Sequence, residues 1–171
     1  MKLTVGILLA AALVLSPGGA GAEGTSDLTL FSISKSENRN QVVYVVRVDE
    51  ACHPSGPAPV HAFWQNLEQG PTNTSPLLWI EQPAYGLASQ QVETDGQVRI
   101  RLRPLPERPI LVRTERNGDA CVARAAATVS ATPVTLYNIH AKLKRIFGIE
   151  SVTLSGRQVD SGAIVHETLK P

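Results

Sequence analysis

The chain has 171 residues, 16 Lys and Arg against 15 Asp and Glu, and 43% hydrophobic residues. That length suits one domain with a proper core, and the near-neutral charge argues against nucleic acid or an anionic membrane as an obligatory partner, since both select for a basic excess. The four histidines, His53, His61, His140 and His166, are scattered, with no i,i+4 pair and no Cys/His cluster, so neither a metal nor any other cofactor is expected.

Residues 1–22 read as a cleavable secretory signal peptide. Met1-Lys2 gives a minimal basic start, and Leu3 to Leu15 an apolar run broken only by Thr4 and Gly6. Ser16-Pro17-Gly18-Gly19 is a helix breaker, and Ala20-Gly21-Ala22 supplies small residues for cleavage. The apolar run is short for a bilayer span, which needs about 20 residues, and no later segment approaches that length. Cleavage also removes Lys2, which leaves the mature domain, residues 23–171, with equal numbers of basic and acidic residues. The expected address is periplasmic or secreted. An exported chain with two cysteines, Cys52 and Cys121, is expected to pair them.

The mature sequence is a series of short β-branched runs punctuated by Gly, Pro, Asn and Asp, which predicts an antiparallel β-sandwich of about nine or ten strands with little helix. Thr29 to Ser34 opens it. Gln41 to Val48 is apolar on both faces, with Val43 and Val45 on one and Tyr44, Val46 and Val48 on the other, so it is expected to be a central, doubly covered strand. Glu50 to Pro59 holds Cys52, Gly56 and three prolines and reads as a loop. Pro59 to Leu67 returns as a strand with Phe63 and Trp64 on opposite faces. Gln69 to Pro76 is a polar loop, and Leu77 to Ile80 a short apolar strand.

Two hairpins follow. Thr94-Asp95-Gly96 suits a three-residue loop that sets Val92 opposite Val98, and Asn117-Gly118 a two-residue turn that sets Thr114 opposite Cys121 and Val112 opposite Ala123. Cys121 then shares a face with Val112 and Ile110, where a structural disulfide belongs. Thr135 to Phe147 alternates at first, but Ile139, Leu143, Ile146 and Phe147 also fit a helical face, which leaves residues 140–148 open between strand and helix. Ser151 to Val159 and Ala163 to Leu169 form a last hairpin through Asp160-Ser161-Gly162.

Several runs, in order, carry a resemblance. They are Val42-Val43-Tyr44-Val45, Pro59-Val60-His61-Ala62-Phe63-Trp64, Ala84-Tyr85-Gly86-Leu87, Val152-Thr153-Leu154-Ser155-Gly156-Arg157, Ser161-Gly162 and Val165-His166-Glu167. Over most of residues 40–169 the chain resembles a family of bacterial proteins known only as the domain of unknown function DUF4833. The resemblance implies a compact β domain and brings no established catalytic residues with it.

Two constellations are candidate ligand sites. Arg99, Arg101 and Arg103 alternate with Val98, Ile100 and Leu102, so they form a stripe with roughly 7 Å spacing, suited to acidic groups on an envelope polymer. The stretch Trp79 to Gly86, with Glu81, Tyr85 and the nearby Trp64, offers aromatic rings beside a carboxylate, as carbohydrate and peptide pockets do. No G-x-S-x-G, H-E-x-x-H or phosphate-cradling glycine loop is present, so no catalytic residue is assigned. The expected role is a non-catalytic binding or envelope-associated module, its partner an envelope glycan or protein. The alternatives are a hydrolase with a convergent site near His61, Glu81 and Tyr85, or a structural subunit of an envelope assembly.

Overall fold

The β-branched runs become eleven strands in the computed structural model, which describes residues 24–144 and 149–170. The export signal expected at residues 1–22, and Ile146 and Phe147, lie outside the described residues. In chain order the elements are β1 (Ser26–Lys35), β2 (Gln41–Val48), β3 (Val60–Gln65), β4 (Thr74–Pro76), the single-turn α1 (Gln82–Tyr85), β5 (Leu87–Val92), β6 (Val98–Leu102), β7 (Leu105–Asn117), β8 (Ala120–Val129), β9 (Thr132–Leu143), β10 (Ile149–Gln158) and β11 (Ile164–Leu169).

The fold is all-β with almost no helix, as expected, but the strands form one mixed sheet curled into a half-barrel rather than an antiparallel sandwich of nine or ten strands. The strand order is β4-β3-β2-β1-β9-β8-β7-β6-β5, with β10 also on β9 and β11 beyond it. The cause is β9. Thr132 to Leu136 pairs with β8, and from Asn138 to Ala141 the strand pairs in parallel with Ser32 to Lys35 of β1. Its partner β10 runs alongside from Val134 to Leu143. One long strand thereby holds both halves of the molecule in a single sheet. The open question at residues 140–148 resolves to strand as far as Leu143.

The concave face holds the core. Phe31 and Tyr44 stack with centroids 4.5 Å apart, and Ile100, Leu102, Val112, Leu136 and Ile139 are buried around them. Val42 to Val46 are all buried, as a doubly apolar strand requires. At the curled ends a side chain takes over from the backbone ladder. The Gln90 amide of β5 accepts from Val60 N–H at 3.0 Å and donates to Val60 C=O at 3.1 Å. It supplies β3 with the donor and acceptor that a neighbouring strand would otherwise provide.

The β5–β6 hairpin has the expected register, Val92 opposite Val98. At the β7–β8 hairpin the turn sits one residue later than expected. Asn117 pairs with Ala120, so Cys121 lies opposite Arg116 and Val112 opposite Ala125. Gly118, at φ +60°, is the first central residue of the two-residue loop, the position where a type II′ turn needs glycine. The shift is two residues in pairing, which leaves every side chain on its face. Cys121 therefore still shares the core side with Val112 and reaches Cys52, with Cα atoms 5.3 Å apart. The Arg116 guanidinium donates to the Glu50 carbonyl and fastens the same loop to the hairpin.

Candidate functional site

Leu77 to Ile80, expected as a strand, is a loop; the strand lies earlier, at Thr74 to Pro76. The loop is held by Glu81, whose carboxylate accepts from Leu78 N–H at 2.8 Å while its own N–H donates to Leu78 C=O at 3.0 Å. α1 follows and delivers Tyr85 edge-on to the Trp64 ring, with centroids 5.2 Å apart. The buried Tyr44 hydroxyl donates to the Tyr85 carbonyl, and Arg103 N–H donates to the Gly86 carbonyl at 2.9 Å. Tyr44 of β2 and Arg103 of the β6–β7 connection thus fix one helical turn at the mouth of the half-barrel.

The mouth is a groove of about 440 Å³ lined by Lys35, Asn40, Trp64, Asn66, Ser75 and Glu81, among others. Lys35 Nζ stands 5.1 Å from the Trp64 ring centroid, within cation–π range. Trp64 Nε1 is buried with no hydrogen-bond partner among the described residues, and such a group costs about 1–3 kcal/mol if left unmet. Burial, then the carboxylates of Glu81 and Glu37, push the Tyr85 phenol above its ordinary pKa, and burial, then Tyr85, pushes Tyr44 higher still. Both hydroxyls therefore remain neutral hydrogen-bond donors at physiological pH. The set can stack against, accept from and donate to a polar ligand; nothing in it aligns a nucleophile with a base.

Of the residues singled out from sequence, Trp64, Glu81 and Tyr85 come together here. Trp79 does not line the groove; it is 84% exposed on the loop tip, with Leu78 and Ile80 beside it. His61 is also elsewhere, its Nε2 3.1 Å from Asp27 Oδ2. It shares a strand face with Phe63, opposite to Trp64, so the convergent trio of His61, Glu81 and Tyr85 is not assembled. Arg99 and Arg101 keep the outer face of β6, but Arg103 falls in the β6–β7 connection. Arg99 is bound to Glu93 at 2.6 Å and Arg101 to the Pro106 carbonyl at 2.6 Å. Sequence reasoning missed Lys35, Asn40, Asn66 and Ser75, which come from separate strands and loops and carry no shared spacing.

A second cavity, about 320 Å³, opens between Ile110, Ile139 and Leu154. Arg108 and Glu167 close its rim with paired bonds of 2.7 and 2.6 Å, and Glu167 also accepts from Ser130 N–H at 2.8 Å. Ser130 and Ala131 both have positive φ, +49° and +61°, in the β8–β9 turn. Glu167 is therefore a clasp over a strained turn. Its hydrogen bonds from Arg108 and then Ser130 hold its carboxyl below the ordinary glutamate pKa. A lowered folded-state pKa gives stability that is fully present above the unfolded value and is lost as pH falls through the folded one. Glu167→Gln is expected to cost about 1–2 kcal/mol at pH 7, discounted for the solvent-exposed part of Arg108. Urea unfolding should show the gap from the parent protein closing between pH 4.5 and strongly acid conditions; a gap constant with pH would refute the assignment.

Among the described residues no group of three or more His, Cys, Asp or Glu could hold a metal, and no helix is long and apolar enough to cross a membrane. No curated protein and no solved structure matches the chain. The model of the domain of unknown function DUF4833 matches residues 31–168, from within β1 to within β11. With that match spanning the sheet and the mouth, the chain belongs to the DUF4833 family.

Proposed function

We propose that the domain is a non-catalytic module that binds a short glycan at the mouth of the half-barrel, in an oxidising compartment outside the cytoplasm. The observation that carries this reading is the convergence of Lys35, Asn40, Asn66, Ser75 and Glu81 around Trp64 in one groove. Its volume, about 440 Å³, falls in the range of small-ligand sites, and barrel mouths are a recurrent place for them. An indole surface suits the C–H face of a sugar, and amides, a hydroxyl and a carboxylate suit its hydroxyl groups. The Cys52–Cys121 disulfide supports the compartment. A second reading, an envelope-associated module docking on another surface, is favoured by the exposed tip Leu78-Trp79-Ile80.

Calorimetric titration with short neutral and amino-sugar oligosaccharides tests the first reading. Trp64→Ala, and the milder Glu81→Gln, should each weaken binding by roughly tenfold, about 1.4 kcal/mol. Trp79→Ala should leave it unchanged. Saccharide binding that survives both groove variants, or no binding by the folded parent protein, would reject the mouth as the site.

A further inference from the structure

The convex side of the sheet carries an order that no local run of sequence displays. Following the pairing register across six strands, one row reads Phe63, Val43, Ser32, Asn138, Ser155, His166. The row beside it reads Gln65, Gln41, Ser34, His140, Thr153, Thr168. Neither row contains Asp, Glu, Lys or Arg. The same side of β6, β7 and β8, by contrast, carries Arg99, Arg101, Arg113, Glu115 and Arg124. Charged groups border the rows, with Asp27 bound to Arg47 and His61 at one end, Lys142 to Glu150 at the other, and Arg124 and Arg157 beside Tyr137.

Within the rows the side chains bond to one another. Gln41 donates to Gln65 at 2.8 Å, Ser34 Oγ and His140 Nδ1 are 3.0 Å apart, and Thr153 and Thr168 meet at 3.0 Å. Asn138 donates to the Ser32 hydroxyl at 3.2 Å, and Ser155 meets His166 at 2.9 Å. These bonds fix rotamers before any ligand arrives, which reduces the ordering cost of binding. The rows also contain a depression of about 330 Å³, lined by Ser32, Gln41, Phe63, Gln65 and Tyr137 among others. Tyr137 reaches it because the β9–β10 register shifts between Ser155 and Gly156, so Tyr137 and its neighbour Asn138 both serve the convex side, the re-aiming that a bulge produces.

We propose that this face is a second binding surface, for an extended, uncharged polysaccharide lying across the strands, with one sugar seated between Phe63 and Tyr137. The absence of charge over both rows selects a neutral polymer. The amides and hydroxyls of Gln65, Gln41, Ser34, Thr153 and Thr168, on strands spaced about 4.8 Å apart, offer an extended polymer polar partners from strand to strand. Phe63 and Tyr137 supply the apolar contact that orients it. This surface lies on the opposite side of the sheet from Trp64, and the inference does not rest on the mouth.

The test is retention of the full domain on insoluble cellulose and on immobilised amylose, with a polygalacturonate gel as the charged control. The parent protein should be retained by a neutral polymer and not by the polyanion. Tyr137→Ala, which alters a half-exposed side chain, and Thr168→Lys, which puts a charge on β11, should each reduce retention roughly tenfold, with unchanged thermal melting. Trp64→Ala should leave retention intact while weakening short-glycan binding at the mouth roughly tenfold. Failure on both neutral polymers, equal retention on the polyanion, or retention undiminished in Tyr137→Ala and Thr168→Lys would overturn the proposal.

Discussion

Replacing Cys52 and Cys121 together with alanine is expected to lower the unfolding free energy by about 4 kcal/mol. The two residues are 69 apart in sequence, so the bond removes the freedom of a long loop from the unfolded chain, and the cost grows with the logarithm of loop length. For a domain of this size, that loss corresponds to a melting temperature lower by roughly 10 °C. Cys52 is buried and stands at φ +67°, so alanine there keeps the strained backbone while losing the bond that maintains it. Cys52→Gly with Cys121→Ala should accordingly lose about 1 kcal/mol less. Urea unfolding of the parent protein with and without reductant, beside both double variants, measures this. Reductant should destabilise the parent to the level of the alanine pair and leave the variants unchanged. A parent protein equally stable in reductant would mean that Arg116 and the Val48–Pro54 bridge hold the loop by themselves.

The periodic parts of this fold were legible in the sequence because the information is local. Val42 to Val46 follows from an unbroken apolar run, and the Val92–Val98 hairpin and the last hairpin from two-residue alternation and nearby turn residues. The face of Cys121 was legible even though its pairing partner was not, because a shift of two residues preserves faces. The curl was not legible. It depends on Ser32 to Lys35 finding Asn138 to Ala141 in parallel, and no local pattern announces a partner so far away in sequence. The β8–β9 turn was equally silent, since Ser130 and Ala131 take left-handed conformations without the Asn or Gly that normally marks them. At the mouth, Trp64, Glu81 and Tyr85 could be guessed from residue type. Lys35, Asn40, Asn66 and Ser75 become partners only when the ends of β1, β2 and β3 meet β4. Trp79 misled for a related reason: an apolar run such as Leu77 to Ile80 reads as a buried strand unless tertiary structure turns it outward, as the Glu81 hydrogen bonds do here.

Gly156→Ala should destabilise the domain by about 2–3 kcal/mol, although it adds one methyl group. A Cβ at Gly156 would stand 2.6 Å from the Val134 Cβ and 3.2 Å from the Thr135 carbonyl oxygen. The first is the root of a β-branched side chain in the buried core, which cannot rotate away, and the second is backbone. Either β10 moves off β9 or the bulge between Ser155 and Gly156 is lost. Val134→Ala removes the Val134 Cγ2, which the new Cβ would also meet, but keeps the Val134 Cβ; the small cavity it leaves costs about 1–3 kcal/mol by itself. In the double variant the lost Cγ2 makes partial room for the added methyl while the Cβ and backbone contacts remain, so its loss should fall short of the sum of the single losses by about 1 kcal/mol, the signature of direct contact. Strict additivity in urea unfolding would show that Gly156 is needed for its backbone alone. The same bulge brings Tyr137 to the convex face. Gly156→Ala should therefore weaken neutral-polysaccharide retention at temperatures where the variant is still fully folded, and the Val134→Ala partner should restore part of it, because what the polymer meets is set by the path of β9 beside β10.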